Sequence, residues 1–317
     1  MPILFGKAPG KIILFGEHAV VYGQPAIAIP VTEVNATARV FPKIDSKPGQ
    51  ITIHAKDLQF ESDLTDLPED HPLAAPIHLT LDKCSPKHTP AFSVELSSTI
   101  PIAAGMGSSA AVSVAIIRAL SSFLGSPLPP EEISNLAYQV EVIHHGTPSG
   151  IDNTVIAYEK PVFFKRDQQI QILKVRHPTS WVIADSGEKT PTRETVSSVQ
   201  SQYTSDPDIY TAIFEKIGAL VQKAHRALIK GDSASLGALM DENQRLLEKL
   251  DVSSSRLDNL IEAARSAGAF GAKLSGGGRG GNIIAALPPE LIPQMKETLL
   301  KAGAKQVIAT TLTARKS

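Results

Sequence analysis

Cysteine is nearly missing from the 317-residue chain, Cys84 being its single thiol. No internal disulfide can close and no cysteine-based zinc site can be assembled, a usage that fits a reducing compartment. A surplus of one charge is missing too. Lys and Arg total 31 against 32 Asp and Glu, which argues against a general nucleic-acid binder, because such proteins need excess cations to displace counterions from phosphate. A local basic pocket is still allowed. Long apolar runs are also absent: the most hydrophobic helical stretch, Ser109 to Leu124, carries Arg118 and several serines and falls short of the roughly 20 apolar residues of a membrane span. Met1 to Gly6 has neither the basic start nor the apolar stretch of a signal peptide. No long period repeats and no segment is of low complexity, which sets aside solenoids and disordered tails. The expectation is a soluble, cytoplasmic protein whose 42% hydrophobic residues suffice for a packed core in two domains or one large one.

Short β-branched or apolar runs separated by Gly, Pro and Asp predict strands at Lys11 to Phe15, Ala26 to Ile29, Thr32 to Phe41, Ile51 to His54 and Phe92 to Leu96. Ser62 to Pro90, rich in Pro, Asp and His, reads as a surface excursion with one short helix. From Ser108 the period changes to 3.6, with Val112, Ile116 and Leu120 stacked before Gly125. A second helix starts after Pro129 and Pro130, with Glu131 and Glu132 in its first turn, where the positive helix end favours carboxylates. Strands are expected at Val155 to Phe164, Ile170 to Val175 and Trp181 to Ala184, then helices from Arg193 to Ala267. The tail reads as strand (Ala272 to Leu274), Gly-rich loop, strand (Asn282 to Leu287), helix (Pro289 to Ala302) and strand (Gln306 to Thr310). The mixture is α+β in two lobes, with a boundary between Val175 and Thr192.

Pro101 to Ala110 follows a predicted strand and opens a helix, an arrangement that aims backbone N–H groups and a helix N-terminus at an anion. Gly105 and Gly107 permit the close approach and positive φ such a loop needs. Ser108 and Ser109 add hydroxyls able to touch phosphate or magnesium. The bland alternative is a strand-to-helix turn with a serine cap. Gly105 to Ala110 also satisfies G-x-G-x-x-A, but the dinucleotide fingerprint needs an acid some 20 residues on, and the first is Glu131. Gly6 to Lys11 is one position too short for a Walker A loop, and Ile12 stands where Ser or Thr must hold magnesium. The second loop, within Lys273 to Asn282, is far richer in glycine than a hairpin turn requires and can wrap an anion or a substrate with its backbone.

Charged residues gather around these loops. Lys11 stands on the first strand, and Glu17 and His18 come just after Gly16. Glu141 borders the apolar stripe of the second helix, and Asp152 lies in a turn shaped by Pro148 and Gly150. The two carboxylates can converge on a metal or act as ligand and base. Each residue alone reads equally as a solvated turn or helix face.

Together the segments resemble the GHMP small-molecule kinases, and within them the branch that acts on mevalonate. Three blocks in the right order carry the resemblance over almost the whole chain: Ala8 to Ala28 (APGKIILFGEHAVVYGQPAIA), Pro101 to Ala110, and Gly271 to Gly281. Galactokinases, by contrast, would show a Thr-Asp-Tyr run after the histidine position. The resemblance implies a two-lobed α+β fold with an N-terminal phosphate-loop domain over 1–180, a C-terminal α+β domain over 181–317, and the active site in the cleft between. It implies a kinase that uses ATP and magnesium to phosphorylate the 5-hydroxyl of mevalonate. Asp152 would be the base or orienting group for that hydroxyl, and Lys11 would lower its pKa and steady the developing charge. Glu141 and Ser109 would hold magnesium, and Ala104, Gly105, Met106, Gly107, Ser108 and Ser109 would wrap the triphosphate. Glu17, His18 and Thr192 would line the acceptor pocket, His18 as a donor to a substrate carboxylate or hydroxyl. Gly276, Gly277, Gly278 and Arg279 would form the third-motif loop. The implied partners are mevalonate and ATP, without nucleic acid or membrane, and a homodimer is compatible with the resemblance. Two residues depart from the pattern: Arg279 interrupts a stretch usually all glycine, and Asn282 replaces a residue commonly small or sulfur-containing. Arg279 either reaches the phosphate tail or substrate anion, or points into solvent. The rival readings are a sibling kinase acting on phosphomevalonate, a sugar or homoserine, a nicotinamide oxidoreductase resting on Gly105 to Ala110, and a non-catalytic metabolite-binding protein, against which Lys11 and Asp152 together speak.

Overall fold

A computed structural model of the chain describes residues 4–101, 105–146, 148–166 and 168–313. In chain order the elements are β1 (Leu4–Phe15), β2 (Ala26–Pro42), β3 (Ile51–Ala55), β4 (Phe60–Asp63), α1 (Ala75–Cys84), β5 (Phe92–Ser98), α2 (Ser108–Phe123), α3 (Pro130–His145), α4 (Ile151–Tyr158), β6 (Val162–Phe164), β7 (Gln171–Ile172), β8 (Thr179–Asp185), α5 (Thr192–Ser205), α6 (Pro207–Lys230), α7 (Ser233–Lys249), α8 (Ser255–Ser266), β9 (Gly271–Ser275), β10 (Asn282–Leu287), α9 (Ile292–Lys301) and β11 (Gln306–Leu312). They divide into two compact units. One comprises Met1–Lys11, Pro30–Pro101 and Gly107–Glu159, and the other Ile12–Ile29, Ile102–Met106 and Lys160–Ser317.

In the first unit, β3 pairs in parallel with β5 and antiparallel with β4, and β5 pairs antiparallel with residues 36–42 of β2. Helices α2, α3 and α4 pack on one another, with α1 against α2 and α3. The buried rows of α2, including Val114, Ile117 and Leu120, supply the apolar face that the 3.6-residue period demands. Asn153 ties α4 to α3 by donating from Nδ2 to the Ser134 carbonyl at 3.1 Å and hydroxyl at 2.9 Å. Gly6 lets β1 press on α2, since a Cβ there would stand 2.2 Å from the Ala115 carbonyl oxygen. Arg118 then donates to the carbonyls of Lys7 (2.5 Å) and Ala157 (2.8 Å), joining β1, α2 and α4.

In the second unit, a four-stranded antiparallel sheet runs in the order β11-β8-β10-β9. Ala26–Ala28 of β2 pair antiparallel with Phe164–Val162 of β6, which pairs in turn with β7. Trp181, fully buried on β8, donates from Nε1 to Thr179 Oγ1 at 3.0 Å. The edge strand β9 has its outer amides satisfied by α7: the Ala272 N–H meets Asp241 Oδ1 at 3.1 Å, and the Leu274 N–H meets Gln244 Oε1 at 2.9 Å. Side chains thus replace a missing strand partner, which removes the cost of unpaired buried backbone groups.

Several expected boundaries move. The strand expected over Val155 to Phe164 is the helix α4 up to Tyr158 and only then the strand β6. Ile170 to Val175 contributes a strand of two residues alone. The two runs flanking Pro30 are one strand, and β1 begins at Leu4 rather than Lys11. Among the described residues no helix is long and apolar enough to cross a membrane. Cys84 is a free thiol at the end of α1.

Candidate active site

In the first unit, β1 carries Lys11 inward, leaving its side chain 5% exposed with Nζ 3.0 Å from Asp152 Oδ1. Gly150, at φ 86°, turns the chain into α4, and Asp152 falls in the first turn of that helix. The sequence alone places it in a turn shaped by Pro148 and Gly150. A carboxylate there is favoured by the helix end as well as by the lysine. Gly107, left-handed at φ 70°, precedes the first residue of α2. A Cβ on it would come to 2.9 Å from Ile156 Cδ1 and 3.0 Å from Lys11 Cγ. Gly107 therefore lies directly on the lysine stem, and Lys11, Asp152 and Gly107 form one cluster.

Gly105 shares the left-handed conformation at φ 70°, and nothing would meet a Cβ there within 4 Å. Gly105 itself is exposed, which leaves its backbone the room an anion cradle needs. Met106 is buried, Ser108 half-buried and Ser109 exposed at the start of α2; Ala104 lies outside the described residues. Glu141 is buried on α3. Among the described residues no group of three or more His, Cys, Asp and Glu is arranged to hold a metal. The oxygen donors present, the Glu141 carboxylate and the Ser109 hydroxyl, suit a hard cation that keeps waters and phosphate oxygens in its shell, as magnesium does. A cation needing a full protein cage is not served.

In the second unit, Gly16 (φ 101°) and His18 (φ 59°) turn the chain after β1. A histidine held at positive φ is uncommon, and such residues persist where the surroundings over-determine them. His18 Nε2 lies 3.0 Å from the Gly277 carbonyl. Burial lowers the His18 pKa to about 4, an effect only partly opposed by that bond and reinforced by the positive charges of Arg279 and Lys273. The ring is therefore neutral near pH 7. Because a carbonyl can only accept, Nε2 carries the proton and Nδ1 is left as an acceptor. The ring thus presents an acceptor at Nδ1, whereas the sequence expectation was a donor to a substrate carboxylate or hydroxyl.

Glu17, also buried, is paired with Lys273 of β9, both side chains being fully shielded from solvent. Burial lowers the lysine pKa and the carboxylate opposes that shift. Lys273 as the partner of Glu17 is not foreseen from the sequence, although it stands out there as a lone cation in a strand otherwise of small and apolar residues, Gly-Ala-Lys-Leu-Ser.

Thr192, exposed, is the first residue of α5, and a Cβ on Gly277 would stand 3.2 Å from its Cγ2. Glu17, His18, Thr192 and Gly277 are thereby gathered around one loop. Gly276 (φ 93°) and Gly278 (φ 79°) shape that loop, and at Gly278 a Cβ would collide with the Val252 carbonyl at 2.0 Å. Arg279 is itself left-handed at φ 55°. Its guanidinium reaches Asp251 Oδ2 at 2.5 Å, the Asp251 carbonyl at 2.9 Å and Ser198 Oγ at 3.1 Å. It braces the loop against α5 and the turn after α7 instead of standing unengaged in solvent.

The GHMP kinases N terminal domain family matches residues 74–160 and the GHMP kinases C terminal family matches residues 224–305. The mevalonate kinase of Thermococcus sibiricus is 35% identical over 326 residues, covering 96% of this chain and 95% of the relative. That of Pyrococcus abyssi is 38% identical over 304 residues, covering 90% and 89%. The crystal structure of L. major mevalonate kinase in complex with R-mevalonate superposes with a TM-score of 0.81 at 26% identity, covering 100% of this chain and 97% of that one. Sequence blocks, fold and full-length likeness agree, and the chain belongs to the mevalonate kinases of the GHMP kinase family.

Proposed function

We infer that the protein transfers the γ-phosphoryl group of ATP to the 5-hydroxyl of mevalonate, giving 5-phosphomevalonate and ADP. The observation that carries this reading is the ion pair of Lys11 and Asp152, 3.0 Å apart, with the phosphate-loop glycine Gly107 pressed on the lysine stem. Phosphoryl transfer asks little covalent chemistry of a protein and much positioning and charge neutralisation. Asp152 accepts the hydrogen bond of the attacking hydroxyl, orients its oxygen and takes its proton as the new bond forms. Lys11, held by Asp152, stabilises the negative charge that gathers on that oxygen. The amides at the start of α2, with Gly105 and Gly107 permitting close approach, hold the phosphate tail. Glu141 and Ser109 supply oxygen donors for Mg2+, which when bound neutralises phosphate charge. On the acceptor side, Glu17 and the Nδ1 atom of His18 accept from substrate hydroxyls, and Thr192 offers a hydroxyl beside Gly277.

ADP release measured with mevalonate, phosphomevalonate, galactose and homoserine supplied one at a time tests this directly. Turnover is expected with mevalonate, with phosphorus NMR showing a phosphomonoester on the 5-oxygen. Turnover with another alcohol and none with mevalonate would overturn the acceptor assignment.

A further inference from the structure

Lysine is almost never fully buried unless paired, because removing an ammonium group from water costs several kcal/mol. Lys273 is fully buried, its Nζ bonded to Glu17 and also donating to the Leu274 carbonyl at 2.6 Å. Stability alone does not account for the pair, since apolar side chains of the same volume commonly serve a core as well or better. What an ion pair adds is direction. Two further bonds join the same strand and loop to the end of β1 and the turn after it: Ser275 Oγ donates to the Ile13 carbonyl of β1 at 2.7 Å, and His18 Nε2 of the turn donates to the Gly277 carbonyl. Three side-chain bonds, all within the second unit, therefore lock residues 13–18 to β9 and the loop that follows it.

We propose that Lys273 is a positioning residue for the acceptor site: its buried ammonium group holds the Glu17 carboxylate, and with it the Gly16–His18 turn, in the orientation that receives the acceptor alcohol. The inference rests on the assignment of Glu17 and His18 to mevalonate binding. It also resolves a charge conflict, because mevalonate is itself a carboxylate and an uncompensated Glu17 would repel it. With Lys273 the pair is neutral, and Glu17 keeps the accepting capacity that a hydroxyl needs.

Lys273→Met, Glu17→Gln and the double variant form a cycle, read by the KM values for mevalonate and for ATP. Lys273→Met and Glu17→Gln should each raise the KM for mevalonate roughly tenfold while the KM for ATP stays within about twofold. The double variant should be no worse than Glu17→Gln, because both changes act through one carboxylate. Lys273→Gln, which keeps an N–H donor, should recover part of the loss. Equal multiplication of the KM by Lys273→Met in both backgrounds, or an equal rise for ATP, overturns the proposal. An unchanged KM in Glu17→Gln removes Glu17 from the acceptor site, and the proposal falls with that assignment. Should Lys273→Met fail to fold, the double variant, in which neither charge of the pair remains, is compared with Glu17→Gln, and a higher KM for mevalonate in the double variant overturns the proposal.

Discussion

Lys11 and Asp152 meet at 3.0 Å although one lies on the first strand and the other opens α4. If Asp152 takes the hydroxyl proton, Asp152→Asn removes a role exercised in the transition state, and kcat should fall about 10²–10⁴-fold. Nucleotide binding, measured by titration, should change little. Near-normal turnover would return Asp152 to the part of a structural partner for Lys11. The candidate residues were legible because each stands inside a distinctive block: Lys11 and Glu17 to His18 in the opening motif, Gly107 to Ser109 after a strand. Two facts at this scale were not. The protonation pattern of His18 depends on burial and on a carbonyl 259 positions away, and the partner of Glu17 lies 256 positions away. No local pattern announces either.

Glycines in the third-motif loop separate into those that need only a backbone conformation and those that also need space. Gly276 is left-handed with open surroundings, so Gly276→Ala should cost about 1 kcal/mol. Gly278 is left-handed and its missing Cβ would sit 2.0 Å from the Val252 carbonyl, so Gly278→Ala should cost about 2–4 kcal/mol. Urea unfolding of the two variants measures the difference, and equal losses would mean that the loop yields where the backbone contact now forbids it. Most long elements could be read from periodicity, as α2 and α3 show. The failure at α4 has a physical cause. Ile-Asp-Asn-Thr-Val-Ile-Ala-Tyr is rich in β-branched residues and buried on nearly every side, so it shows neither helix propensity nor an amphipathic stripe. Its helical state comes from its packing on α2 and α3.

Across the whole molecule, the assigned groups fall in both units, with Gly105 and Met106 of the loop before α2 in the second. Lys11, Gly107, Ser109, Glu141 and Asp152 belong to the first, and Glu17, His18, Thr192 and the third-motif loop to the second. The buried neutral His18 also links global stability to pH. Its pKa is about 4 in the folded protein against the ordinary 6.5, so below pH 6.5 the unfolded chain binds a proton that the native state refuses. Stability is full above that pH and declines as pH falls toward 4. The contribution lost between pH 7 and pH 4.5 should be about 2–3 kcal/mol. His18→Asn, which tolerates the positive φ and does not titrate, should show a correspondingly smaller decline in unfolding free energy over that interval. Identical declines would show that His18 takes up its proton in the native state at ordinary pH.

Trp181, the single tryptophan of the chain, is sealed in β8 with its indole N–H engaged by Thr179. Intrinsic emission excited at the red edge of protein absorbance therefore reports on the second unit alone, whereas far-ultraviolet circular dichroism sums the helices of both. The native chain thus carries its own optical label for one unit, and the gap between the two signals along a denaturant series measures how far the units unfold as one cooperative body.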